Sequence, residues 1–526
     1  MPKKLLPTLK INLDSTILAN DSHYGTRLSV ILENYPQGTL NNVEWRVEDS
    51  RIAEVTTDGT VWPRGAGITY VFAKLLNHKG EAKCKIIVTD GNDYKFRLVL
   101  TDKGKSDFSI GNPEAFLSSK AIERRRKQNI PIDESDLPIS KQYLNAITNI
   151  GGTIVAQSKW LNTVSVSVQD EFLIDKYKAL PFVKDVILVY VGKRKQSPDA
   201  PKYVDNPQSG SFSELGTSID YGSAALNIST EKGEVLHQQG FKGAGMDIAV
   251  IDAGFLQLKS NPAFSNVHIK GAKSFVYEND NPYSIDTHGV WVTSCMAVNK
   301  PGNYVGTAPE ANYWLLRTED GATEFPIEED YWTSAIEFAD SVGVDLVNSS
   351  LSYSDYYYPI KKYTADDMDG KTALASRAAN IAFKKGIFIV NCAGNELKWV
   401  GTPADSPGVL TLGSVNSRRN RDAFTSWGMT ADGRIKPDVM ALGGSVSVIN
   451  ISGNAEYRSG TSYASPIMCG LAACLWQAYP KLTNSDLMEI IRKSADRASN
   501  PELPFGYGIA DMKNAMELAK IKVGSK

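Results

Sequence analysis

Gly460-Thr461-Ser462-Tyr463-Ala464-Ser465-Pro466 sets a serine among small residues at the start of an apolar run, Ile467 to Trp476. A helix N-terminus presents unpaired backbone N–H groups and a partial positive charge. A nucleophile placed there stands beside donors able to stabilise an oxyanion. Serine is a weak nucleophile at neutral pH, so it needs a base, and the base needs a group that orients it. The chain offers five histidines. His23 and His78 fall in an N-terminal region that reads as separate. His268 alternates with Val267 and Ile269 as a strand residue does, and His237 precedes Gln238-Gln239-Gly240, a helix-end pattern. His288 differs: Asp286-Thr287-His288-Gly289-Val290 leads into the apolar run Trp291 to Val298, a loop entering a helix.

Two further elements must position polar groups near these. Met246 to Ile251 reads as a buried strand that ends in Asp252-Ala253-Gly254. Short apolar runs of this kind are typical of central parallel strands, whose functional groups lie at the carboxyl ends. Ile387 to Val390 is a second such strand and runs into Asn391-Cys392-Ala393-Gly394-Asn395. A side-chain amide at that point is able to donate to an oxyanion. Taken alone, Asp252 is a cap or turn residue and Gly394-Asn395 a turn.

Together these pieces resemble the subtilisin-like serine proteases, over roughly residues 218 to 520. The resemblance implies a triad in the chain order Asp252, His288, Ser462. It implies an oxyanion hole from Asn395 and the backbone N–H of Ser462. Val290 stands where the family usually has Thr. Lys436-Pro437-Asp438-Val439 matches another family signature, with Ala441-Leu442-Gly443 in place of the usual Ala-Pro-Gly. Asn348-Ser349-Ser350-Leu351-Ser352 resembles the substrate-binding strand Ser-Leu-Gly. Ser350, Leu351, Ser352, Ala393 and Gly394 are the implied substrate contacts, and Ser352 in place of glycine would narrow the cleft. No cofactor is implied for the chemistry and no metal ligand is assigned; family members often carry a structural calcium ion.

Other hydrolase classes fit less well. An α/β-hydrolase elbow requires glycine where Ala464 stands, and its order would strand His288 upstream of its serine. Cys295 and Cys392 sit in apolar element sequence and read as packing residues. There is no His-Glu-x-x-His. Gly243-Ala244-Gly245 precedes its strand, the reverse of a dinucleotide loop.

The 526 residues exceed one ordinary domain. A net charge of -2 disfavours nucleic acid and anionic membranes as partners. Glu123-Arg124-Arg125-Arg126-Lys127 reads as a solvated helix face. No apolar run approaches a membrane span, and no hydrophobic segment follows Met1 to Leu6. Five cysteines match neither a zinc motif nor a disulfide framework and read as free buried thiols.

Residues 1–92 read as all-β: Thr26 to Leu32, Val43 to Val47, Tyr70 to Lys74 and Ala82 to Ile86 are short strands between turns. Val43 to Val61 resembles a bacterial Ig-like (group 2) sandwich. Residues 93–192 mix strands (Tyr94 to Leu100, Thr163 to Val168, Val183 to Val191) with helices (Ser118 to Gln128, Ser140 to Ile147). Phe116-Leu117-Ser118 and Ser158-Lys159-Trp160-Leu161-Asn162 resemble the prodomains of Bacteroidetes-type subtilases. That resemblance implies a chaperone and inhibitor acting in cis. Residues 193–217, with Lys193-Arg194-Lys195 and several prolines, read as a linker with a maturation site. Residues 218–526 alternate strands and helices, an α/β pattern with a parallel sheet covered on both faces. Ser352 to Gly370 interrupts that pattern with tyrosines and acids, as a cleft rim or a surface loop. Asp366, Asp367 and Asp369 there read as a solvated acidic loop rather than a calcium site.

The expectation is a monomeric bacterial serine endopeptidase made as a zymogen, acting on proteins or peptides. It is expected to be secreted, on the cell surface or periplasmic, its export signal already removed. The competing class is a surface-binding or adhesion protein with a latent protease domain.

Overall fold

The run Asp247–Asp252 (β5 below) is buried at every position. Its side chains alternate between two cores. Ile248 and Val250 join one, while Ala249 and Ile251 join the other. A strand buried on both sides must lie inside a sheet that is covered on both faces. The computed structural model describes residues 7–19, 25–35, 42–65, 67–76, 80–89, 93–168, 173–192, 219–277, 280–357 and 360–524. The linker expected at 193–217, and with it Lys193-Arg194-Lys195, lies outside the described residues, as do His23 and His78.

The N-terminal strands form sheets of four, three and two strands around one core that includes Leu18, Val61, Val71, Cys84 and Ile86. The run expected as one strand from Thr26 to Leu32 is two, Thr26–Arg27 and Val30–Glu33, each pairing with a different partner.

The middle module is a four-stranded antiparallel sheet. Its strands are β1 (Asp93–Leu100), β2 (Thr153–Ser158), β3 (Thr163–Val168) and β4 (Val183–Gly192), in the order β2-β3-β1-β4. Helices α1 (Ser119–Lys127) and α2 (Lys141–Ile150) belong to it, capped by Ser118 and Ser140.

The C-terminal region is built on seven parallel strands: β5 (Asp247–Asp252), β6 (His268–Ser274), β7 (Asn312–Arg317), β8 (Leu346–Ser349), β9 (Phe388–Cys392), β10 (Val409–Val415) and β11 (Val439–Leu442). Their order is β6-β7-β5-β8-β9-β10-β11, every pair parallel. Helices α3 (His288–Ala297) and α6 (Thr461–Ala478) cover one face, and α4 (Ile327–Val342) and α5 (Leu374–Lys384) the other. The strand order reverses between β5 and β8, and crevices in such sheets open at the carboxyl ends beside that point. Asp252 ends β5 there, and Ser350 follows β8.

The basic cluster on α1 is not a solvated face. Arg126 and Lys127 are exposed, but Arg124 and Arg125 are buried. Arg124 pairs with Asp340 on α4, and Arg125 pairs with both Asp340 and Asp136. Lys385, after α5, closes the chain on Asp136 at 2.9 Å. Alternating signs make these burials tolerable: an unpaired buried charge is costly, whereas here each carboxylate meets two cations. Arg97 on β1 adds a two-pronged pair with Asp330, and Trp160 enters the core under α4. The middle module is thereby tied to α4 and α5 through buried ions.

Candidate active site

Two glycines let the aspartate loop touch the histidine helix. Gly289 N donates to Gly254 O at 3.1 Å. A Cβ on Gly289 would lie 2.3 Å from that oxygen, and one on Gly254 would lie 2.1 Å from Ile285 O. Neither position admits a side chain, which explains Asp-x-Gly and His-Gly in physical terms. Asp286, in a left-handed conformation (φ 50°), accepts from His288 N at 2.8 Å and fixes the start of α3. The result is a hydrogen bond of 2.8 Å between His288 Nδ1 and Asp252 Oδ1.

Asp252 is fully buried, whereas the His288 side chain keeps 20 % exposure. Asp252 Oδ1 also accepts from Ala253 N at 2.8 Å, and its Oδ2 is buried without a partner among the described residues. Burial raises the Asp252 carboxyl above its ordinary value, and the imidazole opposes that rise. For His288, burial favours the neutral ring, but Asp252, Asp286 and Glu319 outweigh it and raise the ring above its ordinary value of 6.5.

Ser462 is the second residue of α6 and is buried. Hydrogen bonds bind that helix start to the end of β8: Ser465 Oγ to Asn348 Oδ1 (2.7 Å), Asn348 Nδ2 to Ser350 Oγ (3.1 Å), and Ser350 Oγ to Ser462 O (2.8 Å). Ser462 Oγ points toward Ser350 O at 3.5 Å. No hydrogen bond joins it to His288 in this structure, although the His288 ring lies 6.1 Å from that of the next residue, Tyr463. Resting sites of this kind often hold loose hydrogen bonds that tighten when substrate arrives.

Asn395 follows β9. Its Oδ1 accepts from Thr461 N and Thr461 Oγ1, both at 2.9 Å. A backbone N–H can only donate, so the atom facing it must be the amide oxygen. Nδ2 is thereby left as a donor on the other side, beside the start of α6. Gly394 N donates to Thr461 Oγ1 at 3.2 Å and ties the same loop to that helix.

Glu319, which the sequence reading missed, belongs to this neighbourhood. It lies just past β7, where Thr318 N donates to Asp252 O at 3.1 Å. Its carboxylate accepts from Tyr353 OH (2.6 Å) and Thr318 Oγ1 (2.7 Å). Burial pushes it up to about 7, and the charge of Asp252 adds to the rise. The available signal was its place at the carboxyl end of a strand neighbouring β5.

The stretch from Ser352 to Gly370 is more than a surface loop. Tyr353 and Tyr356 are buried, and Tyr356 and Tyr363 both donate to Glu329 at 2.8 Å. Asp367 accepts from Thr364 N, and Asp369 from Lys371 N and Thr372 N. These acids cap turns. Among the described residues, no group of three or more His, Cys, Asp or Glu side chains is placed to hold a metal ion. All five cysteines are free and buried. Among the described residues, no helix is long and apolar enough to cross a membrane.

Residues 243–509 match the subtilase family, and residues 95–203 match the peptidase S8 propeptide domain of Bacteroidota. Subtilisin E of Bacillus subtilis (strain 168) is 27 % identical over 387 residues, which is 72 % of this chain and 87 % of that protein. A subtilisin of Bacillus pumilus is 28 % identical over 309 residues, 57 % of this chain and 99 % of its own. A solved structure, that of the MycP3 protease from the type VII (ESX-3) secretion system, aligns with a TM-score of 0.47 at 22 % identity. That alignment covers 57 % of this chain and 89 % of the other. The chain belongs to the subtilase family. It is a subtilisin-like serine endopeptidase with a propeptide domain, which fits production as a zymogen.

Proposed function

We propose that Asp252, His288 and Ser462 are the catalytic triad of this endopeptidase. The observation that carries the reading is the buried Asp252–His288 hydrogen bond at the carboxyl end of β5, with the imidazole 6.1 Å from the ring of Tyr463, the residue after Ser462 at the start of α6. His288 Nε2 takes the proton of Ser462 as Oγ attacks the peptide carbonyl, then gives it to the leaving amine. Asp252 holds the ring in the Nδ1–H tautomer and stabilises the imidazolium. Asn395 Nδ2 and the backbone N–H of Ser462 receive the oxyanion. Water resolves the acyl-enzyme by the same route in reverse. Ser350, Leu351 and Ser352 on one side and Ala393 and Gly394 on the other line the substrate cleft. No step calls for a metal or cofactor; a structural calcium ion, as in other family members, would have to be held largely by carbonyl and amide oxygens, since among the described residues no group of three or more His, Cys, Asp or Glu side chains is placed to hold a metal ion.

The architecture follows as 1–92, a bacterial Ig-like module; 93–192, a prodomain-like inhibitor and chaperone; 193–217, a linker that carries the maturation site; and 218–526, the catalytic domain. The protein acts as a monomer at the cell exterior, the cell surface or in the periplasm, on proteins or peptides. A fluorophosphonate probe tests the site. Labelling should appear on the processed protein and vanish in Ser462→Ala and His288→Ala. No labelling after release of the prodomain would favour the adhesion reading. If the wild type and Ser462→Ala both stay full length under activating conditions, self-maturation in the linker is wrong.

A further inference from the structure

The two walls assigned to the cleft approach each other through glycines, and one serine stands between them. Asn391 Nδ2 donates to Leu351 O at 2.9 Å and holds the walls together at the sheet end. Tyr353 and Thr402 close the far end with a pair of backbone hydrogen bonds, 2.9 and 3.0 Å. A Cβ on Gly401 would lie 2.5 Å from Ser352 Oγ and 2.7 Å from Tyr353 O. A Cβ on Gly394, in the opposite wall, would lie 3.4 Å from the same Ser352 Oγ and 3.1 Å from Ser426 Oγ. The hydroxyl of Ser352 therefore occupies the gap between Gly394 and Gly401. Ser352 Oγ has no hydrogen-bond partner among the described residues, so no bond of its own holds it there.

We infer that Ser352 is the residue that sets substrate preference, restricting the residue on the acyl side of the scissile bond to small side chains, namely glycine, alanine and serine. This rests on the triad and cleft assigned above. A substrate whose carbonyl sits between Ser462 and the Asn395 amide sends the side chain of that residue between the two walls. With glycine in place of Ser352, the gap would extend toward Gly401 and admit an aromatic or long aliphatic chain. The hydroxyl instead stops an entering chain after one or two heavy atoms. Forcing a larger group into a well-packed slot is itself unfavourable. Hydrophobic pockets discriminate by about 10- to 200-fold per misfitted group.

The test uses the full chain after maturation, with active sites counted by fluorophosphonate labelling. Matched peptides differing only in the acyl-side residue (Gly, Ala, Ser, Leu, Phe) give kcat/KM for the wild type, Ser352→Gly and Ser352→Thr. The wild type is expected to prefer Ala over Phe by about 100-fold. Ser352→Gly is expected to raise the Phe/Ala ratio at least about tenfold, and Ser352→Thr to lower it further. Equal use of Phe and Ala by the wild type, or a ratio unmoved by Ser352→Gly in labelled enzyme, overturns the proposal. Absence of labelling would instead overturn the catalytic site on which it rests.

Discussion

Replacing Glu337 by alanine should loosen the propeptide domain from the catalytic domain. Glu337 lies on α4 and is 6 % exposed. Its carboxylate accepts from Ser158 Oγ, from Lys159 N at 2.9 Å and from Trp160 N at 3.1 Å, all on the propeptide side. Hydrogen bonds to a charged group contribute about 1.5–3 kcal/mol each, and buried donors left unpaired cost about 1–3 kcal/mol. The three bonds share one acceptor and are not additive, so the loss is about 3–6 kcal/mol. At about 1.4 kcal/mol per tenfold change, that is about 10²- to 10⁴-fold in the opening equilibrium of this edge. A cavity of about 600 Å³ lined by Gln157, Lys159 and Glu337 adjoins the edge and gives water a path to it. The assay is amide hydrogen exchange on full-length protein in a Ser462→Ala background, which cannot process itself. Exchange at Lys159 and Trp160 should accelerate by that factor, while β5 and β9 keep their protection. Unchanged exchange at those two amides would mean that Arg97, Arg124 and Arg125 hold the interface without the carboxylate, and the reasoning would fail.

The acid limb of kcat/KM should fall above the ordinary histidine value of 6.5, because the proton acceptor must be neutral and the carboxylates around His288 raise it against the effect of burial. Asp252→Asn should move that limb down and reduce kcat by about 10⁴-fold; a pH–rate series on both proteins decides. Asn395→Ala should cost about 10²- to 10³-fold in kcat with little change in KM, read by steady-state kinetics on processed enzyme. Glu231 is fully buried, accepts from Leu442 N, and is pushed up to about 8 by burial. For a carboxyl raised in the folded state, the stability it contributes is full below the unfolded value, near 4.5, and is lost as pH rises through about 8. Thermal unfolding of Ser462→Ala protein should show Glu231→Gln more stable relative to its parent at pH 9 than at pH 5. A constant difference between the two would show that Glu231 does not ionise across this range.

The strand ends were legible because backbone and side-chain demands coincide there. A parallel strand buried on both faces is mostly apolar, so polar residues gathered at its carboxyl end mark the edge of the sheet. Asp252 and the Asn395 loop are candidates on this ground. His288 and Ser462 were legible for a related reason: each stands at the start of a helix that is apolar all round, and α3 from Gly289 to Ala297 is buried at every position. Glycine supplied the remaining signal. Gly254 and Gly289 have no room for a side chain, so steric exclusion dictates the glycine at both positions of this sequence.

The propeptide interface was not legible, because its chemistry contradicts the ordinary reading of charge. Arg124 and Arg125 share α1 with exposed Arg126 and Lys127, and composition alone makes all four solvent-facing. What separates them is the partner helix. On α4, Asp330, Ser334, Glu337 and Ser341 recur at steps of four, three and four, one stripe of a helix. All four engage the propeptide domain: Asp330 through Arg97 and Ser165, Ser334 through Gln157, Glu337 through Ser158 to Trp160, and Ser341 through Lys159. A polar stripe at helical period normally faces water. This one faces a domain that fits a removable part of the protein, and polarity suits that role. Ile327 and Tyr331 of the same helix join the core of the propeptide sheet, but if the propeptide is released as proposed above, the acids and serines of the stripe can be rehydrated, whereas a wholly apolar face would stay exposed. On that proposal the same stripe suits both a docked and a released state, and a reading that assumes one environment per side chain recovers only the second.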